Sequence, residues 1–358
     1  MSPTLKYLPV CFFLFLNGCA VRVGPKTIAR DRFDYTSALS NSWKEQMIMN
    51  MVKARYLDPP MFMDVAQVVT SYTFEGSASV NLPDWEGAAA GSAAGISGRW
   101  AESPVITYNP LVGEKFTKSL LQPIPPIALF SLVQAGWPID AVFNIAVRAI
   151  NGLYATTHVE ALKKQGDTDF YRLVKMLREL QLTGAFALRV EKRGDADAAV
   201  VVFRPHQVDE PTEATALAVR KMLGLNLEAR EFNIAFGAVQ KDDTELAMVT
   251  RSMLEILLEA SAGVDVPAAD VQEGRVSKPA EIKDQQSGER RFLINVRSSP
   301  GKPNPRDAFS AVRYRDNWFW LDDRDLSSKR GLSFLLILFT LAESGTTATP
   351  PVLTISKP

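Results

Sequence analysis

Three carboxylates stand together near the C-terminus, where Trp318-Phe319-Trp320-Leu321 runs into Asp322-Asp323-Arg324-Asp325. Hard oxygen ligands behind an apolar strand could hold Mg²⁺ with a phosphorylated ligand. Asp322, Asp323 and Asp325 are therefore the candidate metal-binding or catalytic residues. A competing role follows from their position. Ser327-Ser328-Lys329-Arg330 opens a helix directly afterwards, and acidic residues before a helix N-terminus are favoured by capping and by the helix dipole. No Gly/Thr pattern of a phosphatase loop follows the acids. The expected role is structural, with Arg324 or Arg330 pairing with an aspartate of the triplet.

Other catalytic templates fail on spacing. His158 and His206 are the only histidines and stand 48 positions apart, and no H-E-x-x-H exists, so a zinc peptidase is not expected. No G-x-S-x-G elbow occurs. Ser299-Pro300-Gly301-Lys302 has S-x-x-K spacing, but Pro and Gly disfavour the helical turn that would bring the pair together. Gly301-Lys302-Pro303 lacks the glycine spacing of a phosphate loop. Carboxylates scattered in sequence could still act as a pair, as in glycoside hydrolysis. The two functional classes that remain are a non-enzymatic accessory or structural protein and an envelope hydrolase or transferase working on cell wall or polysaccharide. No cofactor is expected.

Composition narrows the partners. The 358 residues carry 40 Lys+Arg against 40 Asp+Glu, so no overall basic field exists for nucleic acid. Two cysteines exclude a disulfide scaffold and a four-thiolate metal site. The short basic pairs Lys192-Arg193, Arg290-Arg291 and Lys329-Arg330 lie among acids and read as solvated faces. Arg251, inside an apolar run with Met248, Val249, Met253 and Ile256, is a candidate for an internal ion pair.

The elements that must position these residues mix helices with short antiparallel strands, which makes α+β the expected class. Tyr35, Leu39, Trp43, Met47 and Met51 recur at helical spacing over 35–56, and Pro59-Pro60 stops the run. The methionines Met47, Met49, Met51, Met61 and Met63 read as core, with an adaptable partner surface as the alternative. From Val68 to Leu82 apolar and polar residues alternate with period two, and a small-residue segment from Ala88 to Ser103 follows a tip containing Pro83, Asp84, Trp85 and Gly87. The pair reads as a long amphipathic β-hairpin, each arm longer than the roughly 9–11 residues of a tilted membrane strand. A lone hairpin leaves backbone groups unpaired in lipid, so entering a membrane would require several copies closing one barrel. The other reading is a soluble hairpin or a flexible Ala/Gly loop.

Beyond it the pattern predicts helices within 110–157, one of them running from Asp140 to a stop at Asn151-Gly152. A helix over 167–182 and a hairpin of 185–192 with 198–204 come next. Helix 213–223, strand 231–239 and a helix over 242–260, capped by Asp242 and Glu245, complete the middle. A polar excursion over 263–288, strands over 291–297, 308–315 and 318–321, a buried helix over 327–342 and a strand over 352–355 close the chain. Four segments follow: 1–18, 19–34, 35–160 and 161–358.

The N-terminus carries the one resemblance with a cellular address. Lys6 precedes an apolar stretch from Tyr7 to Leu16, then Asn17-Gly18-Cys19-Ala20, which is a secretion signal too short to span a bilayer. Leu16-Asn17-Gly18-Cys19 resembles the lipobox of bacterial outer-membrane lipoproteins, with Asn17 where a small or β-branched residue is usual. The resemblance implies a lipoprotein signal peptide over 1–18, palmitate-type acylation of Cys19, a tether to residue 34 and, with Ala20 in place of Asp, sorting to the outer membrane, facing the periplasm. Cys11 would leave with the signal, so no free thiol would remain. In plan, a lipoprotein with a barrel-forming hairpin over 68–106 is similar to outer-membrane lipoprotein channels such as the curli exporter. Thr250-Arg251-Ser252 and Phe319 to Arg330 resemble segments of bacterial envelope proteins to which no activity attaches. The implied partners are the outer membrane, envelope proteins and further copies of the chain, with no nucleic acid.

Overall fold

The computed structural model describes residues 28–81, 93–157, 166–193, 196–203, 209–278 and 293–343. Cys19, both histidines, the hairpin tip over 82–92 and the C-terminal strand expected at 352–355 lie outside them. Contacts divide the chain into two units.

The described part of the first unit holds the beginning of helix α1 (Ile28–Arg55) and strands β1 (Met63–Asn81) and β2 (Ala93–Pro110), which pair as a two-stranded sheet. The helix begins at Ile28, so residues 28–34 are helical where a tether was expected. Most side chains that carry the alternation over 70–81 lie outside the described residues. At the other end Val105, Ile106 and Tyr108 are exposed.

The second unit, Trp43–Met63 with Pro110–Thr349, is α+β, and its larger sheet takes strands from both sides of position 160. A short helix α2 (Gly113–Phe116) continues into a π-helical turn over Thr117–Leu121. Then come α3 (Pro126–Gln134), α4 (Ile139–Ala146), β3 (Val147–Ile150), β4 (Leu153–Tyr154), α5 (Thr168–Thr183), β5 (Phe186–Arg193), β6 (Ala196–Phe203) and α6 (Glu210–Met222). The chain continues through β7 (Glu231–Phe236), β8 (Glu245–Thr250), α7 (Met253–Ser261), α8 (Ala268–Gln272), β9 (Arg297–Ser299), β10 (Ala308–Tyr314), β11 (Asn317–Asp322) and α9 (Leu326–Glu343).

Strand order in the larger sheet is β4-β3-β8-β7-β6-β5, antiparallel except for β7 with β8. Phe130, Phe143, Phe186, Phe203 and Phe232 interlock between this sheet and its helices, with edge-on pairs such as Phe130–Phe143 at 5.4 Å between centroids. The cavity among them is wholly apolar and, at about 10 Å³, takes at most one water and no ligand. Met47 and Met51 of α1 are buried and Met49 packs against the core, while Met61 and Met63 are exposed. Among the described residues no helix is long and apolar enough to cross a membrane.

Three expectations are corrected. The helix expected over 242–260 is strand β8 followed by α7. Glu245–Thr250 pairs on both edges and is almost wholly buried, and such a strand reads as a continuous apolar run that periodicity does not separate from a helix. Asp242 accepts instead from the N–H and hydroxyl of Thr244, and the cap of α7 is Ser252, whose Oγ accepts from Glu255 N at 3.2 Å. The helix expected to reach Asn151 stops at Ala146, because Val147–Ile150 finds β8 as a partner and Asn151-Gly152, with φ of 42° and 82°, makes the tight turn into β4. Of the strand expected over 291–297, residues 291 and 292 lie outside the described residues, and from 293 on a strand begins only at Arg297 (Arg297–Ser299), with Ile294 and Val296 buried in the core and Val296 bridging to Val264.

Candidate functional site

Strand β11 is central in the sheet β10-β11-β9 and delivers the three aspartates at its end. Phe319 and Leu321 point into the core and fix the strand's facing, which places Asp322 opposite Ala308 of β10. Asp322 is buried. Its Oδ1 accepts the backbone N–H of Arg324 at 2.9 Å, its Oδ2 meets Arg297 at 3.0 Å, and the Arg324 Nε is 3.4 Å away. Arg324 also reaches Asp307 at 2.5 Å, so it is Arg324, not Arg330, that takes an aspartate of the triplet.

Asp323 turns outward and receives the Lys329 ammonium at 2.7 Å. Asp325 caps α9: it accepts from Ser328 N at 3.0 Å and Ser328 Oγ at 2.7 Å. Ser328 itself is fully buried and accepts the N–H of Asn295 at 2.8 Å, tying the start of the helix to the segment before β9. The three carboxylates thus face three different sets of partners. Among the described residues no group of three acidic, histidine or cysteine side chains is placed to hold a metal ion.

Two of the three, Asp322 and Asp325, are held below the usual carboxylate range. The Arg324 N–H, aided by the Arg297 and Arg324 guanidinium groups and opposed by burial, holds Asp322 below the usual carboxylate range. Burial raises Asp325, but the hydrogen bonds from Ser328, Asn295 and Ser327 outweigh it and hold it low as well. A general acid at neutral pH needs the opposite shift. With both folded pKa values depressed, the stability the two groups supply is complete above their ordinary value of 3.8 and is lost as pH falls through the lowered values. Asp325→Ala is expected to cost about 1 kcal/mol at pH 7, the usual worth of an N-cap. Urea midpoints at pH 7 and at pH 3 check this, and the gap between wild type and variant should narrow at the lower pH. An unchanged midpoint at pH 7 would remove the cap as a source of stability.

The S-x-x-K pair does not form a catalytic couple. Ser299 Oγ donates to Gly301 O at 2.6 Å, and the Lys302 ammonium lies 5.2 Å from the centroid of the Trp318 ring. Arg251 is buried as expected of an internal partner, but its main bonds are to the carbonyls of Asn144, Ile145 and Thr156, with Glu255 at 3.7 Å.

One cluster had no signal in the sequence. Tyr56, just past the end of α1, donates its hydroxyl to Asp270 of α8 at 2.6 Å, and Arg315 lies 4.7 Å over its ring. Tyr314 donates to Asp58 and packs on Tyr56 at 5.3 Å between centroids. Burial and the carboxylate acceptor push the Tyr56 hydroxyl well above its usual range, so it stays protonated and acts as a clamp.

Comparison with protein-family models, with curated proteins and with solved structures finds no match to this chain.

Proposed function

We propose that this protein is a non-enzymatic lipoprotein of the bacterial outer membrane, held by lipid on Cys19, facing the periplasm and serving an envelope assembly as a structural or accessory component. The observation that carries this reading is the Leu16-Asn17-Gly18-Cys19 quartet behind a short apolar segment. The use of Asp322, Asp323 and Asp325 supports it, because every one of the three is committed to a contact that builds the fold. Strands of 19 and 18 residues in a two-stranded sheet support a further part, that copies associate through the 68–106 hairpin. Among the described residues the two strands form a sheet only with each other, and the edge of a strand is a template on which a neighbouring copy can pair.

The test is metabolic labelling with palmitate followed by fractionation. The wild-type chain is expected to take up label and to sediment with outer membranes. Cys19→Ser should lose the label altogether and be released from the lipid-anchored fraction. Label retained by Cys19→Ser would overturn the anchor. Light scattering on the detergent-extracted lipoprotein reads the second part: an oligomer that becomes a monomer on deletion of 68–106 supports it, and a monomeric wild type removes it.

A further inference from the structure

The outward face of the smaller sheet combines indoles with uncompensated cations. Trp318 and Trp320 alternate with the buried Phe319 and Leu321, so both are carried on the face away from the core. The ladder sets Trp318 between Ser299 and Arg313, and Trp320 between Arg297 and Ala311. Two positions along a strand separate the tryptophans by about 7 Å. The Arg297 guanidinium lies 5.3 Å over the Trp320 ring and Lys302 lies 5.2 Å over Trp318.

Charge on this face does not balance. Arg297 and Arg324 are matched by Asp322 and Asp307. Lys302 and Arg313 are exposed and have no ion-pair partner among the described residues. A soluble polyanion would need only the cations. Half-buried indoles set beside cations suit a bilayer surface, where the open part of each ring meets the headgroup region and the cations meet phosphates.

We propose that the Trp318/Trp320 face, with Lys302 and Arg313, docks on an anionic phospholipid bilayer. This contact is separate from acylation. A basic patch beside a lipid anchor draws that face of the protein to anionic headgroups.

The test uses the full chain carrying Cys19→Ser, so that its failure leaves the lipidation reading untouched. Sedimentation with vesicles of phosphatidylcholine containing 30% phosphatidylglycerol is compared with pure phosphatidylcholine, a composition chosen to give roughly the surface charge of a biological leaflet. Binding to the anionic vesicles is expected to be about 25-fold tighter or more, and to weaken with added salt. Lys302→Gln with Arg313→Gln should lose about 25-fold, near fivefold for each cation removed. Both side chains are exposed, so circular dichroism should be unchanged. Brominated acyl chains should quench tryptophan emission in the parent chain, and much less in Trp318→Phe with Trp320→Phe. Equal binding to the two vesicle types, or an unaffected double glutamine variant, would overturn the proposal. So would equally tight binding of soluble polyglutamate with no quenching by brominated lipid.

Discussion

Replacing Arg251 by alanine is expected to cost about 3–5 kcal/mol, the range seen when one partner of a buried charged network is removed. The residue is 3% exposed. Its backbone N–H bonds Ala146 O at 2.7 Å, and its guanidinium donates to Asn144 O at 3.2 Å and Ile145 O at 3.0 Å. These are the last carbonyls of α4, to which no further helical turn donates, so a side chain from β8's end closes a helix about a hundred residues earlier in the chain. A third bond, to Thr156 O at 2.8 Å, fixes the segment that leaves β4. Alanine would strand these carbonyls and leave Glu255, already raised above its usual range by burial, with Arg148 as its remaining counter-charge at 3.8 Å. Lysine keeps the charge but cannot fork to three carbonyls, so it should restore only part of the loss. Equilibrium urea unfolding of the three proteins reads the difference, and equal stability of the lysine variant and wild type would show that charge alone matters.

Asn151→Ala should cost about 3 kcal/mol, combining two part-buried hydrogen bonds with a backbone that alanine resists. The Asn151 Nδ2 donates to Leu223 O at 2.8 Å and its Oδ1 accepts from Ala247 N at 2.7 Å, while φ is 42°. Glycine at the same position relieves the backbone and still lacks the side-chain bonds. The expected order of stability is therefore wild type, then glycine, then alanine, and urea midpoints that place alanine at or above glycine would remove the conformational part.

How much of this was legible in the sequence depended on how local the forces were. Helix α5 was, because Asp167 starts it, Phe170, Leu173, Val174, Leu177 and Leu180 make one buried stripe, and Gly184 ends it in the left-handed region at φ 71°. The β5–β6 hairpin and the turn between β10 and β11 were equally local. The capping role of Asp325 followed from its place before a helix, and the structure puts it there. Strand β8 was hidden, since a strand buried on both faces has no alternation to show. A local clue was present nonetheless: Ser252 and Glu255 have the S-x-x-E spacing of a helix start, and Asn151-Gly152 is a hairpin signal. Nothing local could have joined Tyr56 to Asp270, which are 214 positions apart. The platform of Trp318 and Trp320 was half legible: their alternation with Phe319 and Leu321 lay in the sequence, but the register that brings Arg297 and Arg313 beside them did not.

The seam between β3 and β8 imposes an order of events on the chain's own making. Asn151 and Ala247 bond each other across 96 positions, so β3 has no partner on that edge until β8 has been synthesised. At ordinary elongation rates of 5–20 residues per second that interval is about 5–20 s. The β5–β6 hairpin and α5 can form within it, since their contacts are short-range, whereas closing the seam must wait for a large loop to be drawn in. The last strand of this sheet to arrive is thus the one that completes its middle, and a chain cut short before Glu245 would leave both halves of that sheet with an open, sticky margin.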